Sequence, residues 1–216
     1  MADLMNLKLG QRENVKMQQS EKLKITQIEA IDTLKYLSGY AIHYQTASGR
    51  EAVWELVSRG GIERLEAEIY HQKSISDGSV IFATTPEKDC VVLLKEYRVG
   101  AGRYVYMLPA GLADADEDIV ITAVREFKEE TGLDFEPIHI QPPRYVSVGI
   151  VNEKVSIVFG YFSGEISKAL QADNEDADIL IVNREEAKHL LETEEVSIRT
   201  ALLLQDFFRL NTFFAK

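Results

Sequence analysis

The sequence predicts an α+β fold in which a mixed β-sheet is sandwiched between helices, with a smaller antiparallel β-sheet at the N-terminal end. Apolar runs of strand length alternate along the chain with stretches of helical periodicity, and this order favours a mixed sheet between helices. Nearer the N-terminus, two strand-like stretches flank Ser48-Gly49, a pair that is typical of a hairpin turn. These two observations set the fold class.

The first third of the chain is predicted to be a tail followed by the small sheet. Residues 1–22 are polar, lack periodicity and contain no apolar run of signal-peptide length, so a flexible tail is expected. Residues 23–75 are expected to form an N-terminal β subdomain, in which Ile62–Tyr70 fits a short helix or a loop. The strand-like stretches of this subdomain are Leu23–Ile31, Tyr40–Tyr44 and Ala52–Val57.

Residues 76–216 are expected to form one larger domain around a helix at Asp118–Thr131. The helical pattern there places Ile119, Ala123, Val124 and Phe127 on one face, and Gly132 follows at the position of a helix stop. The other predicted elements are a hairpin-like pair of strands at Val80–Ala83 and Cys90–Leu94, strands at Ile138–Val148 and Val155–Tyr161, and helices at Arg184–Leu191 and Ser197–Leu210.

Composition and charge exclude several classes of protein. Of the 216 residues 45% are hydrophobic and 27% are charged, as in ordinary globular proteins, and no apolar run is long enough for a membrane span. The net charge of −11 argues against nucleic-acid binding, and an anionic ligand would need local positive charge from metal ions or a few arginines. Cys90 is expected to be a buried strand residue in a reducing cytoplasm.

Three glutamates near the end of the predicted helix form the most informative cluster. Glu126 and Glu130 share a helix face, Glu129 borders that face, and Arg125 is placed to pair with Glu129. Like charges at this spacing repel by roughly 0.2–0.5 kcal/mol for each pair, and the helix dipole disfavours them near a C-terminus. The cluster therefore suits hard divalent cations such as Mg²⁺ or Mn²⁺, with a solvated acidic helix end as the alternative.

The spacing of these residues resembles the Nudix box. That motif reads Gly, five residues, Glu, seven residues, then Arg-Glu-aliphatic-x-Glu-Glu-x-Gly-aliphatic, and residues 111–133 match every fixed polar and glycine position. Phe127 is the one departure, an apolar residue where the family usually has an aliphatic one. The resemblance implies the Nudix fold and a Nudix hydrolase domain over residues 76–216.

The resemblance also implies a role for each polar position of the box. Arg125 would orient a glutamate such as Glu129, and Glu117 would be an outer partner of that network. Bound metal would then neutralise a diphosphate and bring a water molecule toward hydroxide. The implied metal ligands are Glu126, Glu129, Glu130 and the backbone carbonyl of Ala110.

A glutamate after the box is the candidate general base. In the ADP-ribose branch of the family this base commonly lies on a loop about 20 residues beyond the box. The stretch Ser147–Glu153 resembles that loop, although Val148 replaces its usual proline. Glu153 is therefore the candidate base or a further metal ligand, with an ordinary loop carboxylate as the alternative.

Other segments resemble the ADP-ribose pyrophosphatase branch. Arg98 would contact phosphate, Trp54 would stack on adenine, and Arg59 would reach the ligand. The alternatives are a surface ion pair for Arg98 and plain sheet or dimer packing for Trp54. Met107 departs from this branch, which usually has a glutamate before the Leu-Pro-Ala-Gly turn.

The expected function is Mg²⁺-dependent hydrolysis of ADP-ribose to AMP and ribose 5-phosphate, with Mn²⁺ as an alternative metal. Other nucleoside diphosphate sugars and dinucleotides remain open as substrates. The resemblance further implies a homodimer formed through the N-terminal sheet. A catalytically silent, nucleotide-sensing Nudix domain and a purely structural dimeric scaffold are the competing readings, and the intact box disfavours both.

Overall fold

A computed structural model of the protein describes residues 34–173 and 175–210. The expected tail at residues 1–22 and the predicted strand Leu23–Ile31 lie outside the described residues. The elements in chain order are β1 (Ser38–Gln45), β2 (Glu51–Ser58), α1 (Gly61–His71), β3 (Gly78–Thr84), β4 (Cys90–Arg98), β5 (Arg103–Met107), β6 (Ala110–Leu112), α2 (Ile119–Thr131), β7 (Asp134–Tyr145), β8 (Lys154–Ser163), β9 (Ala177–Asn183), α3 (Arg184–Thr193) and α4 (Ile198–Phe207).

The small sheet at the N-terminal end is present as a two-stranded antiparallel hairpin. β1 and β2 pair continuously from Ser38↔Ser58 to Gln45↔Glu51, and Gly49 takes a positive φ of 79° in the connecting turn. A glycine is suited to that turn because it adopts left-handed conformations without a steric cost. α1 follows the hairpin, so the segment that the sequence left as helix or loop is a helix.

The larger sheet is mixed and lies between helices, as predicted. β3 is parallel to β8, whereas the remaining strand pairs are antiparallel. Alternate side chains of β3 enter different cores, because successive residues of a strand point to opposite faces of the sheet. Val80 and Phe82 pack with residues of α3 and α4, whereas Ile81 and Ala83 pack with α2.

The predicted hairpin of β3 and β4 is wrong in its extent. The two strands share one registered pair, Thr84↔Val91, after which β3 pairs with β8 and β6, and β4 pairs with β5 and β9. Every residue of β3 is buried, and so are Val91–Leu94 of β4. Buried strands of this kind need a paired strand at each edge and packed side chains on both faces, which a two-stranded hairpin does not provide.

The predicted helix at residues 118–131 is α2, and its ends are defined by the expected residues. The Asp118 side chain accepts a hydrogen bond from the Val120 backbone N–H at 2.8 Å, and Gly132 closes the helix with a φ of 72°. Phe127 is fully buried and its ring centroid lies 5.2 Å from that of Phe135, so this departure from the family pattern fits the core.

Several details of the prediction are wrong. Val124 is 39% exposed, because on a helix it lies about 100° around the axis from the fully buried Ala123. Cys90 is partly exposed at the start of β4 rather than buried. The strand expected to reach Val148 ends at Tyr145. In the described part of the chain, no helix is both long and apolar enough to cross a membrane.

Candidate active site

The short strand β6 and the C-terminal half of α2 together form the candidate site. β6 pairs with β3 through Val80↔Ala110, which fixes its backbone on the sheet. The Ala110 backbone N–H donates a hydrogen bond to Glu130 Oε2 at 3.1 Å. β6 is thus joined directly to Glu130, the last carboxylate of the box.

Gly111 is required by the close approach of Glu126. A Cβ atom at position 111 would lie 1.9 Å from Glu126 Cδ and 2.3 Å from Glu126 Oε1. The carboxylate therefore lies against the glycine backbone at a distance that no other residue type allows. This close packing explains why the box begins with glycine. A left-handed backbone conformation does not explain it, because Gly111 is not among the residues with positive φ.

Arg125 is the centre of an ion-pair network. Its Nε and Nη2 donate to Glu117 Oε1 and Oε2 at 3.0 and 2.8 Å, and its Nη1 donates to Glu126 at 2.9 Å and to Glu129 at 3.2 Å. The bonds from Arg125, followed by the bond from the Asp114 backbone, lower the pKa of Glu117 to about 2. The predicted pairing of Arg125 with Glu129 is therefore present, and Glu117 is the main partner of Arg125.

The carboxylates of Glu126 and Glu130 lie close to other acidic side chains. Burial raises the pKa of Glu126, an effect that Arg125 opposes and that Glu129 and Glu175 reinforce. Burial also raises the pKa of Glu130 well above its ordinary value, and the charges of Glu126 and Glu96 raise it further. In the metal-free protein the ionised form of each carboxylate is therefore disfavoured.

Glu96 and Glu175 are functional candidates that the sequence analysis missed. Glu96 lies on β4 and Glu175 lies in the loop before β9, and both act on the charge of Glu130. Neither position has a spacing relation to the box, so only the tertiary fold reveals them. They add carboxylate groups near Glu130, in a chain that has Met107 in place of the glutamate usual in the ADP-ribose branch.

The donor set fits a hard divalent cation, although the site is not preformed. Within residues 34–173 and 175–210, no three His, Cys, Asp or Glu side chains are already arranged to hold a metal ion. At the box, the Arg125 guanidinium is the cation that holds Glu126 and Glu129. A metal would draw these two carboxylates away while Arg125 kept Glu117. The donors are all oxygen atoms, and a cation would stabilise the ionised form of the buried Glu130 carboxyl group, which burial disfavours.

The loop with the candidate base is fixed by the N-terminal subdomain. The Glu153 carboxylate lies 3.6 Å from Arg59 Nε, so two predicted site residues pair with each other. Asn152 Nδ2 donates to Glu68 Oε2 on α1 at 2.6 Å, and the Val57 backbone N–H donates to the Ile150 carbonyl at 2.9 Å. The structure therefore brings Arg59 and Glu153 together at this loop.

The remaining predicted ligand contacts are placed at the surface. Arg98 pairs with Glu96 at 2.7 Å, which is the ion-pair alternative, and its phosphate contact stays a prediction. Trp54 is 49% exposed on β2 opposite Ile42. Its position suits both stacking on a base and packing in an interface, so both alternatives stay open.

A family model described as the NUDIX domain matches residues 76–203, which is more than half of the chain. The chain belongs to the Nudix family. Nudix hydrolases generally use divalent metal cations, in agreement with the oxygen-rich donor set of the box. The predicted boundaries of the domains, at residues 22 and 75, stay predictions.

Relatives with curated names agree with this family. A Caenorhabditis elegans protein named as a Nudix hydrolase is 36% identical over 45% of this chain and 41% of its own length. An ADP-ribose pyrophosphatase of Bacillus subtilis is 25% identical over 59% and 70%, and a GDP-mannose pyrophosphatase of an Enterobacter strain is 28% identical over 75% and 87%. The chain thus spans less than half of the nematode relative.

A solved structure confirms the fold. The crystal structure of an ADP compounds hydrolase superposes with a TM-score of 0.63 at 18% sequence identity, over 90% of this chain and 94% of that one. At this identity the likeness concerns the fold alone. The predicted α+β Nudix fold, a mixed sheet between helices with a small N-terminal antiparallel sheet, is therefore correct.

Proposed function

We propose that this chain is a Mg²⁺-dependent Nudix pyrophosphatase that hydrolyses ADP-ribose to AMP and ribose 5-phosphate. The observation that supports the proposal most strongly is the Glu126 carboxylate against Gly111, beside the buried Glu130, whose ionised form is disfavoured by burial and by neighbouring carboxylates. Carboxylates held this way gain most from a divalent cation. Mn²⁺ would be accepted by the same oxygen donors.

In this proposal each residue of the box has a distinct task. Bound metal would neutralise the diphosphate oxygens and lower the pKa of a water molecule. Arg125 holds Glu117 and keeps the network in place when Glu126 turns toward the ion. Hydrolysis at phosphorus needs positioning and charge stabilisation more than a protein nucleophile. The proposed metal ligands are Glu126, Glu129, Glu130 and the Ala110 carbonyl.

The substrate is proposed to lie between the box and the N-terminal subdomain. Glu153 would accept the proton of the attacking water, Arg59 and Arg98 would contact the anionic part of the substrate, and Trp54 would stack on adenine. The arginines supply the local positive charge that a protein of net charge −11 needs for such a substrate.

A substrate panel tests this proposal. Wild-type protein would be incubated with ADP-ribose, GDP-mannose and diadenosine compounds, with Mg²⁺ or with EDTA, and products identified by mass. We expect AMP and ribose 5-phosphate from ADP-ribose with Mg²⁺ and no turnover in EDTA. GDP-mannose is the second candidate, because the GDP-mannose pyrophosphatase relative aligns over 75% of this chain. Faster cleavage of GDP-mannose would select that candidate.

Asn152→Ala is expected to lower kcat by about tenfold with little change in KM. The variant removes the hydrogen bond from Asn152 to Glu68, a bond to a charged group, and so frees the loop that positions Glu153. Steady-state kinetics on ADP-ribose measures both constants. Glu66→Gln, an exposed position on the same helix, is the matched control. Unchanged kcat in Asn152→Ala would show that this anchor is irrelevant to catalysis.

Trp54→Ala separates the two alternatives for the tryptophan. Stacking of a base on an aromatic ring is worth roughly 1–3 kcal/mol, so loss of the ring should raise KM for ADP-ribose by about tenfold. Val53→Ala, the equally exposed neighbour on the opposite strand face, is the control. Light scattering of the same samples measures their molecular mass and so shows whether the proposed homodimer forms. A Trp54→Ala protein that becomes monomeric with unchanged KM would assign the residue to the interface.

A further inference from the structure

Arg199 on α4 is a half-buried arginine that the function proposed above does not use. It lies in the first turn of α4 next to Thr200, whose Oγ1 accepts a hydrogen bond from the Leu108 backbone N–H at 3.0 Å. Leu108 precedes β6 by two residues, and the Ala110 backbone N–H of β6 donates a hydrogen bond to Glu130. Arg199 therefore lies near the strand that contacts Glu130. The first turn of α4 is thus hydrogen-bonded to the segment that leads into β6.

The Arg199 guanidinium is not matched by a partner of its own. Among residues 34–173 and 175–210 it forms no hydrogen bond and no ion pair within 4 Å, although it is partly buried. Burial lowers its pKa, the charge of Glu153 opposes that effect, and the charge of Arg98 adds to it. A cation at a helix N-terminus is also disfavoured by the helix dipole.

The charged groups that act on Arg199 are already engaged with other partners. Arg59 pairs with Glu153, and Arg98 pairs with Glu96. Arg199 interacts with the same Glu153 and lies near Arg98. Each of these two carboxylates therefore already has an arginine partner, and Arg199 has no carboxylate of its own. An anion placed beside Arg199 would satisfy the unmatched group.

We propose that Arg199 is a substrate-binding residue that donates hydrogen bonds to the diphosphate of the substrate. This inference rests on the proposed function for the identity of the ligand. The planar guanidinium suits two oxygens of one phosphate, and its charge is already desolvated before the ligand arrives. Arg98 contributes to the same anion site from the end of β4.

Binding of ADP, a diphosphate probe that is not hydrolysed by the proposed reaction, tests the inference. The dissociation constant would be measured by calorimetry in EDTA for wild type, Arg199→Gln, Arg199→Lys and Arg209→Gln. Arg209 is the matched control because it lies two residues beyond the C-terminal end of α4, with its side chain 85% exposed. KM and kcat for ADP-ribose with Mg²⁺ would be measured on the same proteins, after circular dichroism has established folding.

We expect Arg199→Gln to raise the Kd of ADP and the KM of ADP-ribose by roughly ten- to a hundredfold, with a smaller change in kcat. Arg199→Lys should recover part of the affinity, since it keeps the charge and loses the two-pronged geometry. A Kd and KM equal to those of wild type in Arg199→Gln would overturn the inference. Weakened ADP binding in a protein that cleaves none of the panel would support Arg199 and reject the proposed function.

Discussion

Glu130→Gln should reduce hydrolysis of ADP-ribose by about a thousandfold while making the metal-free protein more stable. Loss of about 4 kcal/mol of charge stabilisation at the transition state corresponds to that factor. The backbone contact survives, because the glutamine carbonyl oxygen can accept the hydrogen bond from the Ala110 N–H. The variant thus removes a charge and leaves the local packing almost unchanged.

The stability gain follows from the direction of the pKa shift. Burial and the charges of Glu126 and Glu96 raise the pKa of Glu130 in the folded protein above its unfolded value. The stability contributed by such a group is present at low pH and is lost as the pH rises through the folded pKa. Glutamine has no such loss, so the melting temperature of Glu130→Gln should exceed that of wild type at about pH 8 and approach it at about pH 5.

Thermal unfolding in EDTA and in Mg²⁺ measures these effects together with turnover. Mg²⁺ should raise the melting temperature of wild type, because a ligand that binds only the folded state stabilises it, and should have little effect on Glu130→Gln. Glu192→Gln, at an exposed position of α3, is the control for removal of a carboxylate. Full activity in Glu130→Gln would exclude this residue as a metal ligand.

Gly111→Ala should lower kcat/KM by about a hundredfold without unfolding the protein. The added methyl carbon would lie 1.9 Å from Glu126 Cδ, so the flexible carboxylate must move while the backbone of β6 stays paired with β3. A displaced ligand costs metal affinity, and a factor of about 10–100 is typical even for residues that only support the ligands.

Gly100→Ala provides the control for this substitution. A Cβ at position 100 would meet no atom within 4 Å, and Gly100 is not among the glycines with positive φ. Kinetics at increasing Mg²⁺ would show whether excess metal restores the Gly111→Ala protein. Wild-type kcat/KM in Gly111→Ala would show that the Glu126 carboxylate is not needed at this position.

The parts of the site that lie within one helix could be predicted from the sequence. The spacing of Glu126 and Glu130 depends only on helix geometry, and Gly132 ends α2 because glycine adopts the required positive φ. The approach of Glu126 to Gly111 was not predicted, because it depends on how β6 packs against α2.

Features that depend on tertiary pairing could not be predicted. β3 and β4 were expected to form a hairpin, but beyond their one registered pair β3 pairs with β8 and β4 pairs with β9. Glu96 and Glu175 lie near Glu130 although they come from β4 and from the loop before β9, and no local pattern relates them to the box. The preference of Arg125 for Glu117 also depends on the fold of the loop between β6 and α2.

Direct titration with Mn²⁺, a paramagnetic substitute for Mg²⁺, measures whether the box carboxylates bind a divalent cation. Free Mn²⁺ would be followed by electron paramagnetic resonance in wild type and in the double variant Glu126→Gln, Glu130→Gln. We expect wild type to deplete free Mn²⁺ and the double variant to bind it at least about a hundredfold more weakly. Equal binding by the two proteins, or no binding by wild type that hydrolyses its substrate, would contradict the proposed metal site.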